Sequence, residues 1–220
     1  MSTLRRDDGE QTPELGPEQL ETLVGHFEQA LARHGPTARG VDWRTESDQV
    51  ARNEMLAAEI MATPKAPVCD LGCGYGALLD QLRACGYGGR YTGIDASSDM
   101  IGAASARNAE DPRASFHVGT APEPADMVVA SGLFSWHLGV DRGQWVAHVD
   151  ATLGRMVEAA SSAVLVNFLA RTALVNLTPH LHYDDPDRVG AVLLAAGARK
   201  VRVVTRAGLS DFTVVADTGP

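Results

Sequence analysis

The sequence predicts an α/β protein: a doubly wound, mostly parallel seven-stranded sheet with two N-terminal helices and a C-terminal antiparallel hairpin. Three observations carry this. From Pro67 onward short apolar runs alternate with helical patterns, the signature of a parallel sheet with crossover helices. The first run, "VCDL", is followed by glycines at alternate positions, Gly72, Gly74 and Gly76, before a helix begins. The end of the chain, "RKVRVVTRAGLSDFTVVAD", reads strand, turn, strand with no helix between, which puts one antiparallel strand into the sheet.

The elements follow in order. Residues 1–16 are polar, carry Pro13 and Gly16, and are expected to form a disordered tail. From Pro17 to about His34 the apolar residues Leu20, Leu23, Val24, Phe27 and Leu31 recur in steps of three and four, one helical stripe. "HGPTARGVDW" breaks that pattern. Thr45, with Asp48 three residues later, opens a second helix running towards Met61. "PVCDL", "RYTGID", "SFHVG", "ADMVVAS" and "AVLVNFLA" read as five strands. Leu78, Leu79 and Leu82 mark the helix after the first, which Gly86 ends, and another helix starts near Ser98. Trp145, Val149, Leu153 and Met156 mark a long helix, and Asp185-Pro186 caps the last one, with Gly197 closing it. The expected organisation is a tail over 1–16, a helical lid over 17–62 and the sheet domain over 63–220.

The 220 residues are 45% apolar and 21% charged, enough for one sizeable domain and an appendage. The net charge of −9 disfavours a nucleic-acid or anionic-membrane surface. No apolar run approaches membrane-spanning length, and "MSTLRRDDGEQTPELG" lacks the apolar core of a signal peptide. The three cysteines, Cys69, Cys73 and Cys85, cannot all pair within one chain and lack zinc or CxxC spacing. A reducing, cytoplasmic location is expected.

In a doubly wound sheet, ligands sit beyond the carboxyl ends of the strands, beside the first strand. The glycines there let a ligand approach the backbone more closely than a Cβ allows. Gly72-x-Gly74-x-x-Ala77 satisfies a loose dinucleotide pattern, and Asp95 lies roughly 20 residues on, where a ribose-binding acid belongs. That is one reading, a nicotinamide oxidoreductase. Asp70 points elsewhere: a carboxylate just before the glycines repels a pyrophosphate and attracts a cationic amino group. The terminal hairpin and the lack of a second domain for hydride chemistry point the same way.

"DLGCGYG", "YTGIDAS", "DMVVASGLF" and the terminal hairpin resemble, in that order, the successive motifs of class I S-adenosylmethionine-dependent methyltransferases of the bacterial small-molecule type. The resemblance runs from about Pro67 to the C-terminus and implies a Rossmann-like sheet with S-adenosyl-L-methionine as cofactor. The segment "HGPTARGVDWRTESDQVARNEML" is similar to the lead-in of a bacterial branch of these enzymes. The family resemblance implies that Asp70, Gly72, Cys73, Gly74 and Gly76 line the methionine end, and that Asp95, with Ala96 beside it, takes the ribose hydroxyls. Met100 packs on the adenine, and Thr120 and Ala121 lie at its edge. Many relatives carry an acid where this chain has Thr120. Ser131 and Gly132 approach the methionyl group. In the lead-in helices, Arg52 is expected at the methionyl carboxylate, Trp43 over the pocket, and Gln49 beside them. No metal is implied.

Methyl transfer is an in-line displacement, so the chain has mainly to align donor and nucleophile and exclude water. A general base is optional. The loops after the fourth and fifth strands supply the candidates. His137 and His182 are the candidate catalytic residues, and Trp136, Arg171, His180 and Tyr183, with Trp43, the candidate substrate contacts. His26, His34 and His148 are read as solvated residues on helix faces or at a helix end. The stretch after the fourth strand lacks the Asn/Asp-Pro-Pro-aromatic pattern common in enzymes that methylate nucleobase or amide nitrogens. A small-molecule acceptor is therefore expected. The competing readings are the oxidoreductase above and a non-catalytic module that binds S-adenosylmethionine. The methylated atom, the acceptor's identity and the oligomeric state are not legible in the sequence.

Overall fold

The computed structural model describes residues 15–171 and 178–219. The expected tail over 1–16 lies outside them except for Leu15 and Gly16. Two helices come first, α1 (Pro17–His34) and α2 (Glu46–Ile60), joined through a short 3₁₀ turn at Ala38–Val41. Pro17 opens α1 where a missing N–H costs nothing. Thr45 caps α2, its hydroxyl accepting the Asp48 N–H at 3.1 Å.

The repeat follows: β1 (Val68–Leu71), α3 (Ala77–Ala84), β2 (Tyr91–Asp95), α4 (Ser98–Arg107), β3 (Ala114–Val118), β4 (Ala125–Ala130), α5 (Arg142–Ala159) and β5 (Ala160–Ala170). Then come β6 (Tyr183–Asp184), α6 (Pro186–Ala195), β7 (Lys200–Thr205) and β8 (Asp211–Asp217). The strand order is β3-β2-β1-β4-β5-β8-β7, with β8 antiparallel to both β5 and β7. The seven strands and the hairpin are those expected. The two-residue β6, parallel to the end of β5, is an addition. A strand that short has no periodicity to read. β5 also begins directly at the end of α5, three residues earlier than its apolar run starts.

The sheet is apolar on both faces, as a doubly wound sheet requires. Val128 and Ala130 of β4 pack with Val149, Leu153 and Met156 of α5 and with Val189 and Leu193 of α6. Met127 and Val129 point the other way, into a cluster with Leu78, Leu79 and Leu82 of α3 and Leu56 and Ile60 of α2. That alternation is the period-two pleat. Cys69 and Cys73 are buried free thiols and Cys85 is exposed. No described helix is long and apolar enough to cross a membrane.

Candidate active site

The strand order reverses at β1, which lies between β2 and β4. A cavity of about 210 Å³ opens at the carboxyl ends of these strands. Its floor is the glycine turn. Gly72, Gly74 and Gly76 have φ of +74°, +53° and +84°, a region that side chains with a Cβ adopt at a cost. The Gly72 and Cys73 N–H groups both donate to the Ile94 carbonyl, at 2.7 and 3.0 Å, which pins the turn to β2. Asp95, the last residue of β2, ties the turn further. Its Oδ2 accepts the Gly74 N–H at 2.9 Å and its Oδ1 the Ser97 N–H at 3.0 Å. Burial pushes the Asp95 carboxyl upward, and the backbone N–H groups of Ser97, Gly74 and Ala96 oppose that push.

Asp70 lies deeper, only 1% exposed. Tyr91 donates its hydroxyl to Asp70 Oδ2, while Oδ1 has no partner although it is buried at the cavity. Burial pushes the Asp70 carboxyl up to about 7; the nearby Asp95 adds to the shift and the Tyr91 bond subtracts from it. An orphaned carboxylate oxygen beside a glycine turn fits an ammonium group. The Asp95 oxygens, each with a further lone pair, fit a cis-diol. Met100, Ala96 and Thr120 line the same end. These residues fit S-adenosylmethionine.

The helices complete the walls. Gln49 and Asn53, one turn apart on α2, both line the cavity and both are buried. Gln49 Oε1 accepts the Tyr75 hydroxyl at 2.7 Å and Asn53 Oδ1 accepts the Ser131 hydroxyl at 2.8 Å. Each amide nitrogen is left to donate elsewhere. Trp43 lies so close to Gly132 that a Cβ there would come within 2.8 Å of the indole, and the Gly132 N–H is held by Asn167 Oδ1 at 2.7 Å. α1 roofs the cavity with Leu20, Leu23, Val24 and Phe27. Polar contacts seat it: Ser97 donates to Glu28 at 3.0 Å, and His26 pairs with Asp42 while packing against the Trp136 ring.

Of the expected cofactor residues, the structure brings Asp70, Gly72, Cys73, Gly74, Asp95, Ala96, Met100, Thr120, Ser131 and Gly132 to one cavity. Gly76 and Ala121 do not line it; Gly76 is the N-cap of α3. Arg52 is not at the cavity either, a correction to the expected carboxylate contact. Helical spacing puts it beside Gln49, but its long side chain is drawn aside by its partners. Its guanidinium pairs with the buried Asp211 of β8, donates to the Asp48 carbonyl at 3.1 Å and lies 4.5 Å from the centre of the Trp43 ring.

At the other end, Trp43 and Trp136 line the cavity, but His137, Arg171, His180, His182 and Tyr183 do not. The His137 ring accepts the Gly139 N–H at 3.3 Å. His182 is buried behind the wall, its Nε2 3.0 Å from Asp184, with the Phe168 and Trp145 rings against it. Asp184 in turn accepts two N–H groups of Arg188, and its carboxyl is held well below the usual range by those bonds and the His182 bond against the effect of burial. Arg171 and His180 are exposed, and the Tyr183 hydroxyl accepts the Thr178 N–H at 3.2 Å. Residues 172–177, part of that candidate loop, lie outside the described residues. His148, read as solvated, instead lines the cavity from α5 with Trp145 and Thr152. The spacing of these three, three and four residues apart, was the signal available. Asn53 was missed as well; a polar residue four after Gln49 on an otherwise apolar helix face marks it.

Residues 68–159 match the family model described as a methyltransferase domain. The methyltransferase-family protein Rv1506c of Mycobacterium tuberculosis is 35% identical over 148 residues, which cover 66% of this chain and 89% of the relative. The chain belongs to the class I S-adenosylmethionine-dependent methyltransferases, and S-adenosylmethionine is its cofactor. The nicotinamide reading of the glycines and the non-catalytic reading fall with that. The fold is shared with solved structures of low identity. A magnesium protoporphyrin IX methyltransferase (ChlM) from Synechocystis PCC 6803 with bound S-adenosylmethionine superposes with a TM-score of 0.69, at 16% identity, over 93% of this chain and 99% of that one. DhpI in complex with S-adenosylhomocysteine gives 0.65 at 18% identity, over 94% and 100%.

Proposed function

We propose that the protein transfers a methyl group from S-adenosylmethionine to a small-molecule acceptor held beneath α1. One observation carries the reading: the cavity continues past the glycine turn into a space roofed by α1 and walled by α5. A nucleic acid or a folded protein could not reach it without displacing that roof. The net charge of −9 speaks against the same partners. The Synechocystis neighbour is itself named for a small substrate, magnesium protoporphyrin IX.

When bound, the cofactor supplies an electrophilic methyl group on a sulfonium. The chain's part is to hold, orient and dry the reactants. Asp95 accepts the ribose hydroxyls, and Asp70 Oδ1 accepts from the methionyl ammonium. The amide groups of Gln49 and Asn53 donate to the methionyl carboxylate, the task expected of Arg52. Arg52 acts at one remove, its guanidinium against the Trp43 ring that closes over Gly132. Met100 and Thr120 border the adenine. The lid is α1 with the 3₁₀ turn, and its closure excludes water from the transfer. Buried free thiols and a lone exposed one suit a reducing cytoplasm.

Calorimetry with S-adenosylhomocysteine on Asp95→Ala tests the cofactor end. Loss of bonds to a charged group should weaken binding by about 1.5–3 kcal/mol, roughly 10- to 150-fold. Unchanged affinity would misplace the ribose. Incubating the protein and methyl-labelled cofactor with a small-metabolite extract should yield a labelled low-mass product. Label found only in macromolecules would refute the small-molecule acceptor.

A further inference from the structure

The acceptor end of the cavity has a chemistry of its own. α5 turns the stripe Trp145, His148 and Thr152 into it, facing Leu20 and Leu23 of α1. The two helices are joined at their starts by Gln19 and Gln144, whose side-chain amides donate to each other at 2.7 and 2.9 Å. This end is therefore an apolar slot with few polar groups.

One of those groups is unsatisfied. Trp145 is 3% exposed, and its indole N–H is buried with no acceptor. An indole nitrogen only donates, so what it lacks is an acceptor atom. Buried donors without acceptors are rare in native proteins, and one that lines a binding cavity is a candidate contact for a ligand. Thr152 offers no acceptor to spare for it: its hydroxyl donates to the His148 carbonyl at 2.8 Å and accepts from Arg155 at 2.9 Å.

Charge narrows the class. Asp42, Asp70 and Asp95 line the cavity, and no lysine or arginine does among its described lining residues. Among the described lining residues only His148 could carry a positive charge, so an anionic acceptor would leave water for a largely apolar slot with little to pair with. We infer that this end takes a neutral, largely apolar methyl acceptor, oriented by an oxygen that accepts the Trp145 indole N–H. The inference rests on the reading of the cavity as a small-molecule methyltransferase site.

The test is calorimetry on the protein saturated with S-adenosylhomocysteine, using matched neutral and anionic probes: 2-naphthol with 2-naphthoate, and 1-hexanol with hexanoate. At least one neutral probe should bind at least tenfold more tightly than its carboxylate. Trp145→Phe keeps a ring and removes the N–H. It should weaken that neutral probe about fivefold or more, while leaving the oxygen-free counterpart (2-methylnaphthalene or hexane) and S-adenosylhomocysteine unchanged. Carboxylates that bind as tightly, no binding by either neutral probe, or equal affinity in Trp145→Phe would each overturn the inference and leave the cofactor site standing. Failure of S-adenosylhomocysteine to bind the wild-type protein would overturn the cofactor reading and this inference with it.

Discussion

α1 and α2 are neighbours in the chain and similar in length, 18 and 15 residues, yet they are held in opposite ways. α2 is part of the body. Leu56 and Ile60 are fully buried against β1 and α3, Arg52 pairs with the buried Asp211, and Glu59 accepts from Arg202 of β7 at 2.9 Å. α1 buries only Ala30 completely. Its apolar stripe lines the cavity, with Leu23 also packed against the core, and polar pairs tether it: Gln19 to Gln144, His26 to Asp42, Glu28 to Ser97. A helix whose apolar face looks into a ligand cavity gains its full burial only when the ligand is present. In the proposed reading, only α1 and the 3₁₀ turn, of the expected lid over 17–62, serve as a roof.

The sharpest way to break the contrast is a pair of truncations. Ile60→Ala should cost about 2–5 kcal/mol in urea unfolding, the usual range for a fully buried aliphatic side chain. Leu20→Ala, cut from a face that looks into the cavity, should cost less than about 1 kcal/mol. Equal losses would make α1 core packing and remove the roof.

Hydrogen exchange tests the same difference without mutation. On addition of S-adenosylhomocysteine, amides of residues 20–43 should slow by roughly tenfold, a shift of about 1.4 kcal/mol. Those of residues 53–60 should not change beyond the global stabilisation. A ligand shifts the roof only through contacts that differ between its open and closed states, and Trp43 at Gly132 supplies one. Equal protection of both helices would merge them into one element.

The floor beneath both helices offers the mildest test. Asp70 has its carboxyl pushed up to about 7 by burial, against about 3.9 for a free aspartate. The folded chain therefore holds a proton that the unfolded chain releases, so the Asp70 contribution to stability is present below pH 4 and is lost as pH rises through 7. An ammonium partner needs the carboxylate form. Affinity for S-adenosylhomocysteine should accordingly rise several-fold from pH 6 to pH 8, and Asp70→Asn should flatten that rise. A rise that survives in Asp70→Asn would place the ammonium elsewhere.

The parts that the sequence by itself determined share a physical trait. The glycine turn, the Asp95 at the end of the second strand, the Thr45 and Asp185 caps and the terminal hairpin are local patterns, each set by backbone geometry over a few residues. A left-handed turn needs glycine, a cap needs a short acceptor side chain, and a hairpin needs two strands with no room for a helix. They survive translation into sequence because no distant element decides them. Arg52, Gln49 and Asn53 show the opposite case. All three lie on one helix, and only the rotation of α2 on the sheet, set by Leu56 and Ile60 in the core, turns the two amides inward and the guanidinium towards Asp211. The histidines divide in the same way. His148 reaches the cavity because Val149, Leu153 and Met156 lock the other side of α5 onto the sheet, whereas His182 is drawn behind the wall by its bond to Asp184. Which face of a helix looks into a cavity is a property of packing between elements far apart in the chain, and that is what only the tertiary structure decided.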